Sequence, residues 1–368
     1  MDTEDQIETL LEKGVNDGVF PGAVLLVARA GEIVFFRAFG HRSLTPAGGP
    51  MGKDTIFDLA SLTKPLATTI AMMKLVDAGE ISLDEPLSRL LPGDLPEGKG
   101  TLTPRLLLSH SAGLVDWRPF FLKLSLFDPR ERKHLARKWI MDLPLAYAPG
   151  KNTQYSDLGF MLLEWIIEEI SGMSLPLFLD QHFYAPLSLA RTFFSSNAHP
   201  IRFEDDQYAP TELCPWRKIL LLGRVHDENA YAMGGYSGHA GLFGTAEEVY
   251  RIVRVLIEHF SGIRDDCFRP ETVKTFFIRQ DYLVDGSTRA LGWDTPSAQN
   301  SSSGKYFSAK SIGHLGFTGT SVWTDLDKDV AIVLLTNRVH PTRDNVMIRA
   351  FRPGLHNIVM EQFVLNLQ

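Results

Sequence analysis

The sequence predicts an α+β fold in which one antiparallel sheet is built from both ends of the chain. Two β-rich runs near the amino end, 23 to 29 and 32 to 39, are separated only by Ala30-Gly31, which predicts a hairpin. Strand-like runs return near the carboxyl end, at 321 to 326 and 330 to 337. The residues between these regions show mainly helical patterns. We therefore expect a mostly helical lobe inserted between two halves of one sheet.

This order also predicts how the chain divides. We expect residues 1–57 and 290–368 to form the sheet lobe and residues 58–289 to form the helical lobe, as one compact unit with the site between the lobes. The apolar residues of the first hairpin are nearly continuous, which predicts that both faces of the sheet are covered, one of them by helices.

Helices are predicted where apolar residues recur at intervals of three and four. The first, 4 to 17, has this spacing at Ile7, Leu10, Leu11 and Val15. Loops rich in glycine and proline separate the further helical patterns, at 61–78, 103–109, 129–140, 157–171, 175–183 and 246–260. The last segment, 344 to 364, contains Pro353 and is expected to kink or restart there.

Composition and charge exclude several classes of protein. Of the 368 residues 44% are hydrophobic, which suits a globular protein with a large core. The formal net charge is -7 and no basic stripe stands out, so neither nucleic acid nor a membrane is an expected partner. No apolar run reaches the roughly 18 residues of a membrane helix, and the amino end lacks the pattern of a signal peptide. We expect a cytoplasmic protein with no disulfide framework around Cys214 and Cys267.

Two familiar motifs do not apply to this chain. The stretch "GDLPEGKG", residues 93 to 100, has the spacing of a phosphate-binding loop, but Gly100 stands where that motif has Ser or Thr, and no buried strand precedes it. The G-x-S-x-G elbow of α/β-hydrolases is absent. A nucleophilic serine would therefore need another activating group.

Ser61 and Lys64, in "DLASLTKPLATT", offer such a pair. Residues three apart lie on one face of a helix, and a lysine amine can accept a serine proton if burial lowers its pKa or a second group completes the relay. Pro65 disfavours a helical Lys64 unless both lie in the first turn, so the helix is expected to begin almost at Ser61. By itself the S-x-x-K pattern is weak, because a capping serine and a solvated lysine explain it more often.

Later stretches strengthen this interpretation. Tyr155 comes just before a predicted helix, His314-Leu315-Gly316 leads into a strand, and glycine-rich loops at 106–114 and 234–249 are typical of pocket walls. In this order the chain resembles the serine β-lactamase and penicillin-binding-protein-like hydrolases of the class C type. Their S-x-x-K, Y-x-N and K-T-G elements correspond to Ser61 to Lys64, Tyr155-Ser156-Asp157 and His314-Leu315-Gly316. The similarity runs from about residue 15 to about 337 and implies a β-lactamase/transpeptidase-like fold.

The resemblance also implies a role for each residue. Ser61 would be the acylated nucleophile and Lys64 its proton partner, while Tyr155 would act as general base toward Ser61 and then as acid toward the leaving group. The backbone N–H groups of Ser61 and Phe317 would form the oxyanion hole. Contacts to the substrate are expected from Asp157, His314, Gly316 and, in the loop that should face the pocket, His239.

Two residues depart from the family pattern. Asp157 stands where the family often has Asn, and its charge would favour protonated Lys64 and place more of the base role on Tyr155. His314 replaces a lysine that usually helps to bind a substrate carboxylate, and a histidine is only partly charged near pH 7. The His-x-Gly form is common among esterases and peptidases of the family, so potent β-lactamase activity is not expected.

The stretch 223 to 239 contains His226, Asp227, Glu228 and His239, which are residue types that bind metal ions. Their spacing matches no standard zinc pattern, so we predict no metal and no organic cofactor. The sequence leaves the roles of His226 and Asp227 open.

The predicted function is that of a serine hydrolase that works through an acyl-enzyme on a small-molecule ester, amide or peptide substrate. A carboxylesterase and a D-amino-acid or muropeptide amidase both fit. The alternatives are a β-lactamase and a non-catalytic penicillin-binding module, although a pure binding protein would not need Ser61, Lys64 and Tyr155 together. The physiological substrate, its stereochemistry and the oligomeric state stay open.

Overall fold

The strands of the protein form two antiparallel sheets in the computed structural model, which describes residues 3–284 and 286–365. They are β1 (Gly22–Arg29), β2 (Glu32–Gly40), β3 (Phe57–Asp58), β4 (Phe193–Phe194), β5 (Leu242–Gly244), β6 (Ile312–Leu315), β7 (Ser321–Asp325) and β8 (Val330–Thr336). The large sheet has the order β2-β1-β8-β7-β6 and the small one β3-β5-β4. Since the large sheet joins the amino end to the carboxyl end, the prediction of one sheet built from both ends is confirmed.

The predicted hairpin is also confirmed. Strands β1 and β2 meet at Ala30 and Gly31, whose φ angles are 50° and 85°. A two-residue turn with positive φ matches the right-handed twist of the strands that it joins. On its other side β1 pairs with β8, with Leu25 opposite Leu334, which brings the two chain ends together.

Along the chain, most helices come between the strands of the amino end and those of the carboxyl end. In space, helices pack on both faces of the large sheet. They are α1 (Thr3–Asn16), α2 (Thr69–Asp77), α3 (Leu87–Leu90), α4 (Pro104–Leu108), α5 (Phe120–Leu124), α6 (Pro129–Asp142), α7 (Asp157–Ser171), α8 (Leu175–Leu179), α9 (Glu228–Ala232), α10 (Ala246–Phe260), α11 (Pro270–Phe277) and α12 (Ile348–Phe363). The long helices α1, α6, α7 and α10 lie within two residues of their predicted bounds. Helix α12 continues through Pro353 without restarting.

Side chains of β1 alternate between two apolar clusters, as the two-residue period of a strand requires. Leu25 and Val27 pack in a cluster with residues of α1 and α12. Val24 and Leu26 point to the other face, where α10 packs against β1 and β8. Both faces of the sheet are therefore covered, as predicted.

The cluster around Val24 extends without a break into the helical region, where it includes Met72 of α2 and Ile166 of α7. The sheet and these helices therefore share one core. The lobe bounds 1–57, 58–289 and 290–368 stay predictions, and α10, which was expected in the helical lobe, packs directly on the sheet.

Several short elements were not predicted, because most segments of this length show too little of a period. They include the three strands of the small sheet and helices α3, α5 and α9. Strand β3 matters most for the site, since it leads directly into Ser61. Within the described residues, no helix combines the length and the apolar character needed to cross a membrane.

Candidate active site

Ser61 lies in the first turn of the helix that leads into α2. The chain forms a 3-10 turn at Ala60–Leu62 and a wide π-type turn at Lys64–Thr68 before α2 begins. Pro65 has no N–H to donate, which the first turn of a helix tolerates. The turn is wide because the Thr69 N–H donates to the Lys64 carbonyl, five residues earlier in the chain. The expectation that the helix begins almost at Ser61 is confirmed.

The residue before Ser61 has an unusual backbone conformation. Ala60 has a φ of 48°, which is costly for a residue with a Cβ. The buried carboxylate of Asp58 holds it there, since Oδ1 accepts the Ala60 N–H at 2.8 Å and Oδ2 accepts the His226 N–H at 2.6 Å. Strained residues of this kind cluster at active sites, where the surrounding contacts over-determine them.

Lys64 is fully buried, and its ammonium contacts three oxygen atoms. Nζ lies 3.0 Å from Ser61 Oγ, 2.7 Å from Asp157 Oδ1 and 3.2 Å from the His239 carbonyl oxygen. Burial alone would lower the pKa of Lys64, but the charges of Asp157 and Tyr155 outweigh it and raise that pKa above its ordinary value. Lys64 is therefore protonated at neutral pH, as Asp157 led us to expect.

Tyr155 completes this cluster. Its ring centroid lies 4.8 Å from Lys64 Nζ, and its pKa is raised because burial outweighs the opposing charge of Lys64. The tyrosine is positioned from behind by His110, whose ring lies 4.6 Å away and whose Nδ1 accepts the Ser156 N–H at 3.1 Å. His110 was missed as a site residue, although it lies in the glycine-containing loop 106–114 that was predicted to approach the pocket.

Strand β6 is the edge of the large sheet, and the turn after it is tied to the segment that leads into Ser61. Thr318 Oγ1 donates to the Asp58 carbonyl at 2.7 Å, and Thr320 Oγ1 donates to the Leu59 carbonyl at 3.1 Å. These hydrogen bonds hold the sheet edge against the tip of the serine helix.

Gly316 allows this close approach. A Cβ there would lie 2.0 Å from Thr320 Oγ1 and 2.6 Å from the Leu59 carbonyl oxygen. The next residue, Phe317, lines one pocket together with Ser61. The N–H groups of Ser61 and Phe317 donate to no other residue in the described part of the chain, which leaves both free for an oxyanion.

The charge of His314 differs from the one that an ordinary histidine pKa suggests. It is 4% exposed, and its Nδ1 lies 2.9 Å from the Leu315 carbonyl oxygen. Burial and the nearby charges of Lys64 and Arg289 lower the pKa of His314 to about 3. The expectation of a partly charged imidazole near pH 7 is therefore wrong, because His314 is neutral.

The pocket beside Ser61 has a volume of about 310 Å³. It gathers five of the predicted site residues, namely Ser61, Tyr155, Asp157, His239 and Phe317. Its lining does not include the other three predicted site residues, Lys64, His314 and Gly316. It does include residues for which the sequence predicted no substrate contact: Trp117, His226, Asp227, Glu228 and Arg343.

Two ion-pair networks organise the wall formed by residues 226 to 239. His239 Nε2 lies 2.9 Å from Asp227 Oδ1, and although burial opposes it, this partner raises the pKa of His239. Burial would raise the pKa of Glu212, but hydrogen bonds from His226 and Arg343 lower it to about 2. The roles that the sequence left open for His226 and Asp227 are thus partly structural.

Two groups of side chains could supply metal ligands within the described ranges. One consists of Asp157, Asp227 and His239, with ligand atoms within 4.8 Å of one another, and the other of His259, Asp266 and Cys267. In the pocket, Asp157 Oδ1 is also bound by the Lys64 ammonium, at 2.7 Å. That the reaction needs no metal stays a prediction.

A serine at a helix tip, a buried lysine within hydrogen-bond distance of its oxygen, and two free backbone N–H groups beside it define a class of enzyme. This is a serine hydrolase that works through an acyl-enzyme on ester or amide bonds.

Comparison with known proteins identifies the family. The sequence model of the Beta-lactamase family matches residues 7–352, and the chain belongs to this family. It is 32% identical over 365 residues to the N-acetylmuramyl-L-alanine amidase of Bacillus subtilis (strain 168), which covers 91% of this chain and 81% of the relative. It is 31% identical over 366 residues to a putative D-alanyl-D-alanine carboxypeptidase of Escherichia coli (strain K12), covering 91% and 82%.

A solved structure shows the same fold. The octameric penicillin-binding protein homologue from Pyrococcus abyssi superimposes with a TM-score of 0.72 at 20% identity, covering 100% of this chain and 78% of that one. The predicted β-lactamase/transpeptidase-like fold is confirmed.

Proposed function

We propose that the protein is an amidase that hydrolyses an amide bond in small peptide fragments of the cell-wall type, with Ser61 as the acylated nucleophile. The observation that carries this proposal is the 3.0 Å contact between Lys64 Nζ and Ser61 Oγ, in which Ser61 lines the pocket. The names of both relatives, an amidase and a carboxypeptidase, support an amide or peptide substrate over a simple ester.

The proposed reaction begins with attack by Ser61 Oγ on the carbonyl carbon. A C–O bond forms while the serine proton passes to the Lys64–Tyr155 pair, and the carbonyl oxygen becomes an oxyanion held by the N–H groups of Ser61 and Phe317. Collapse breaks the C–N bond, and the amine leaves with a proton from the same pair. Water then attacks the acyl-serine and gives a proton to the pair. The bond between the acyl carbon and Ser61 Oγ breaks, the pair returns the proton to Ser61 Oγ, and the acid is released.

Both members of the proton-accepting pair have raised pKa values, so the pair is fully protonated in the resting site at neutral pH. The reactive form is the one in which Lys64 and Tyr155 together have lost one proton. We therefore expect activity to rise from neutral toward alkaline pH.

The proposal is tested by labelling and turnover. The protein is incubated with a fluorophosphonate or a penicillin, and its intact mass is measured for the wild type, for Ser61→Ala and for Ser261→Ala, which alters an exposed serine at the end of α10. We expect an adduct in the wild type and in Ser261→Ala but not in Ser61→Ala. Hydrolysis of D-alanine peptides, muropeptides and p-nitrophenyl esters is measured for the same proteins.

The outcomes separate the alternatives. An adduct that persists in Ser61→Ala would refute the assignment of the nucleophile. An adduct without turnover of any substrate would indicate a penicillin-binding module, and rapid hydrolysis of a cephalosporin would indicate a β-lactamase. Turnover of esters but of no amide would make the protein a carboxylesterase. A location in the cytoplasm and the absence of nucleic-acid partners stay predictions.

A further inference from the structure

Three carboxylates line the pocket beside Ser61: Asp157, Asp227 and Glu228. Their side chains are 17%, 22% and 12% exposed, so each keeps some access to the pocket. One oxygen of each carboxylate is bound to a charged or polar partner within the protein. These contacts are Asp157 Oδ1 with Lys64 at 2.7 Å, Asp227 Oδ1 with His239 at 2.9 Å, and Glu228 Oε1 with Arg343 at 2.7 Å.

The second oxygen of each carboxylate receives no hydrogen bond from any residue in the ranges 3–284 and 286–365. Since all three residues line the same pocket, their carboxylates can offer acceptors to a substrate there. Ligand atoms of Asp157 and Asp227 lie within 4.8 Å of each other, close enough for one nitrogen atom to contact both carboxylates.

The cations around this wall are already paired. Arg343 donates from Nε to Glu212 Oε1 at 2.8 Å and also contacts Glu228, while Glu212 is itself buried. Lys64 is 0% exposed and is held by Asp157. His314, at the position where the family has a carboxylate-binding lysine, is neutral and lies outside the pocket lining. Among the described residues that line the pocket, none offers an unpaired positive charge to a substrate carboxylate.

We propose that this wall binds an ammonium group of the substrate through Asp157 and Asp227, with the charge of Glu228 in the same pocket, and that the pocket selects against a carboxylate beside the scissile bond. An ammonium group has three N–H donors, so it can donate to both of these carboxylates at once. This inference rests on the proposed amidase function and narrows it to peptide fragments with a free amino group. It argues against a carboxypeptidase, whose substrate carries a carboxylate next to the bond that is cleaved.

The test compares three substrates with the same scissile bond. They are D-alanine p-nitroanilide, its N-acetyl derivative and its N-succinyl derivative, with charges of +1, 0 and -1 at neutral pH. We expect kcat/KM to fall by about tenfold at each step, because the first step removes the attraction to the carboxylates and the second adds a negative charge that they repel. Where turnover is slow, the rate at which phosphonates of the same three charges label Ser61 gives the same ratio.

Substitutions test whether these carboxylates cause the preference for a cationic substrate. Glu228→Gln is expected to lower the cation-to-anion ratio by about tenfold, since it removes one charge from the wall. Glu97→Gln is the matched control, because Glu97 is exposed, lies outside the pocket and carries the same charge. It is expected to leave the ratio unchanged. Should Glu228→Gln fail to give a thermal unfolding transition like that of the wild type, Asp227→Asn is measured in its place.

The outcomes distinguish this inference from the function on which it rests. A ratio near one in the wild type, a preference for the anion, or an equal ratio in the variants would overturn the ammonium site while leaving the amidase intact. Absence of both turnover and Ser61 labelling would overturn the amidase. Loss of activity in EDTA with recovery in Zn²⁺ would show that the carboxylates hold a metal ion, which also overturns the ammonium site.

Discussion

Replacing Asp157 with Asn is expected to shift the pH dependence of the reaction toward lower pH. Asp157 Oδ1 lies 2.7 Å from Lys64 Nζ, and its charge raises the pKa values of both Lys64 and Tyr155. The Asn side chain has nearly the same shape but no charge, so burial would then dominate the pKa of Lys64 and lower it. The pair that must lose one proton would lose it more easily.

The size of the shift follows from the geometry. Two unit charges 2.7 Å apart attract with about 6 kcal/mol at an effective dielectric constant of ~20, before the desolvation of both groups is subtracted. The net effect of one close opposite charge is about 1 to 3 pKa units. We therefore expect the acid limb of the pH profile of kcat/KM to move to lower pH by at least about 1 unit. At a pH below this limb, kcat/KM is expected to rise about tenfold for each unit of the shift.

The assay measures kcat/KM from pH 5 to 10 with a p-nitroanilide, or with the best ester substrate if no anilide is cleaved. Asp94→Asn serves as the control, because this exposed aspartate lies outside the pocket. Circular dichroism and thermal unfolding check that the fold is retained. A limb that does not move, or that moves to higher pH, would refute the reasoning that Asp157 sets the pKa of the proton-accepting pair.

Three further changes have defined outcomes. Gly316→Ala is expected to lower kcat about 10²- to 10³-fold with the fold retained, because its Cβ would collide with Thr320 Oγ1 and the Leu59 carbonyl and displace an oxyanion donor; unchanged kcat would contradict this. His314→Asn is expected to leave the shape of the pH profile of kcat/KM between pH 5 and 9 unchanged, since the pKa of His314 is about 3 and the imidazole is neutral throughout. If a limb of the profile disappears in this variant, His314 titrates in that range and the reasoning is contradicted. Glu212→Gln is expected to reduce the loss of stability in acid, measured by urea unfolding at pH 5 and pH 3. The folded pKa of Glu212 is about 2 and its ordinary value 4.5, so its contribution is present above pH 4.5 and is lost as the pH falls toward 2; equal losses for both proteins would contradict it.

Much of the fold could be predicted from the sequence because it depends on local patterns. The hairpin β1–β2 and the helices α6, α7 and α10 each have a clear period or a capping residue, and Ser156 and Thr245 cap α7 and α10 in the structure. The small sheet could not be predicted, since its strands of two or three residues are held by neighbours far away in the chain. Its strand β5 pairs with β3 across about 185 residues of sequence.

The sequence by itself determined the chemistry that is available near Ser61. The spacing of Ser61, Lys64 and Pro65 required a helix that starts at the serine, and the order of the later motifs indicated the class of hydrolase. These features depend on residues only a few positions apart, or on their order along the chain.

Only the tertiary structure decided the electrostatics of the pocket. The pairing of Arg343 with Glu212 joins residues 131 positions apart, and it leaves no free cation among the described residues that line the pocket. Burial makes His314 neutral, while Asp157 keeps Lys64 charged. A side chain's charge depends on how deeply it is buried and on which charges pack around it, and neither is known before the chain has folded.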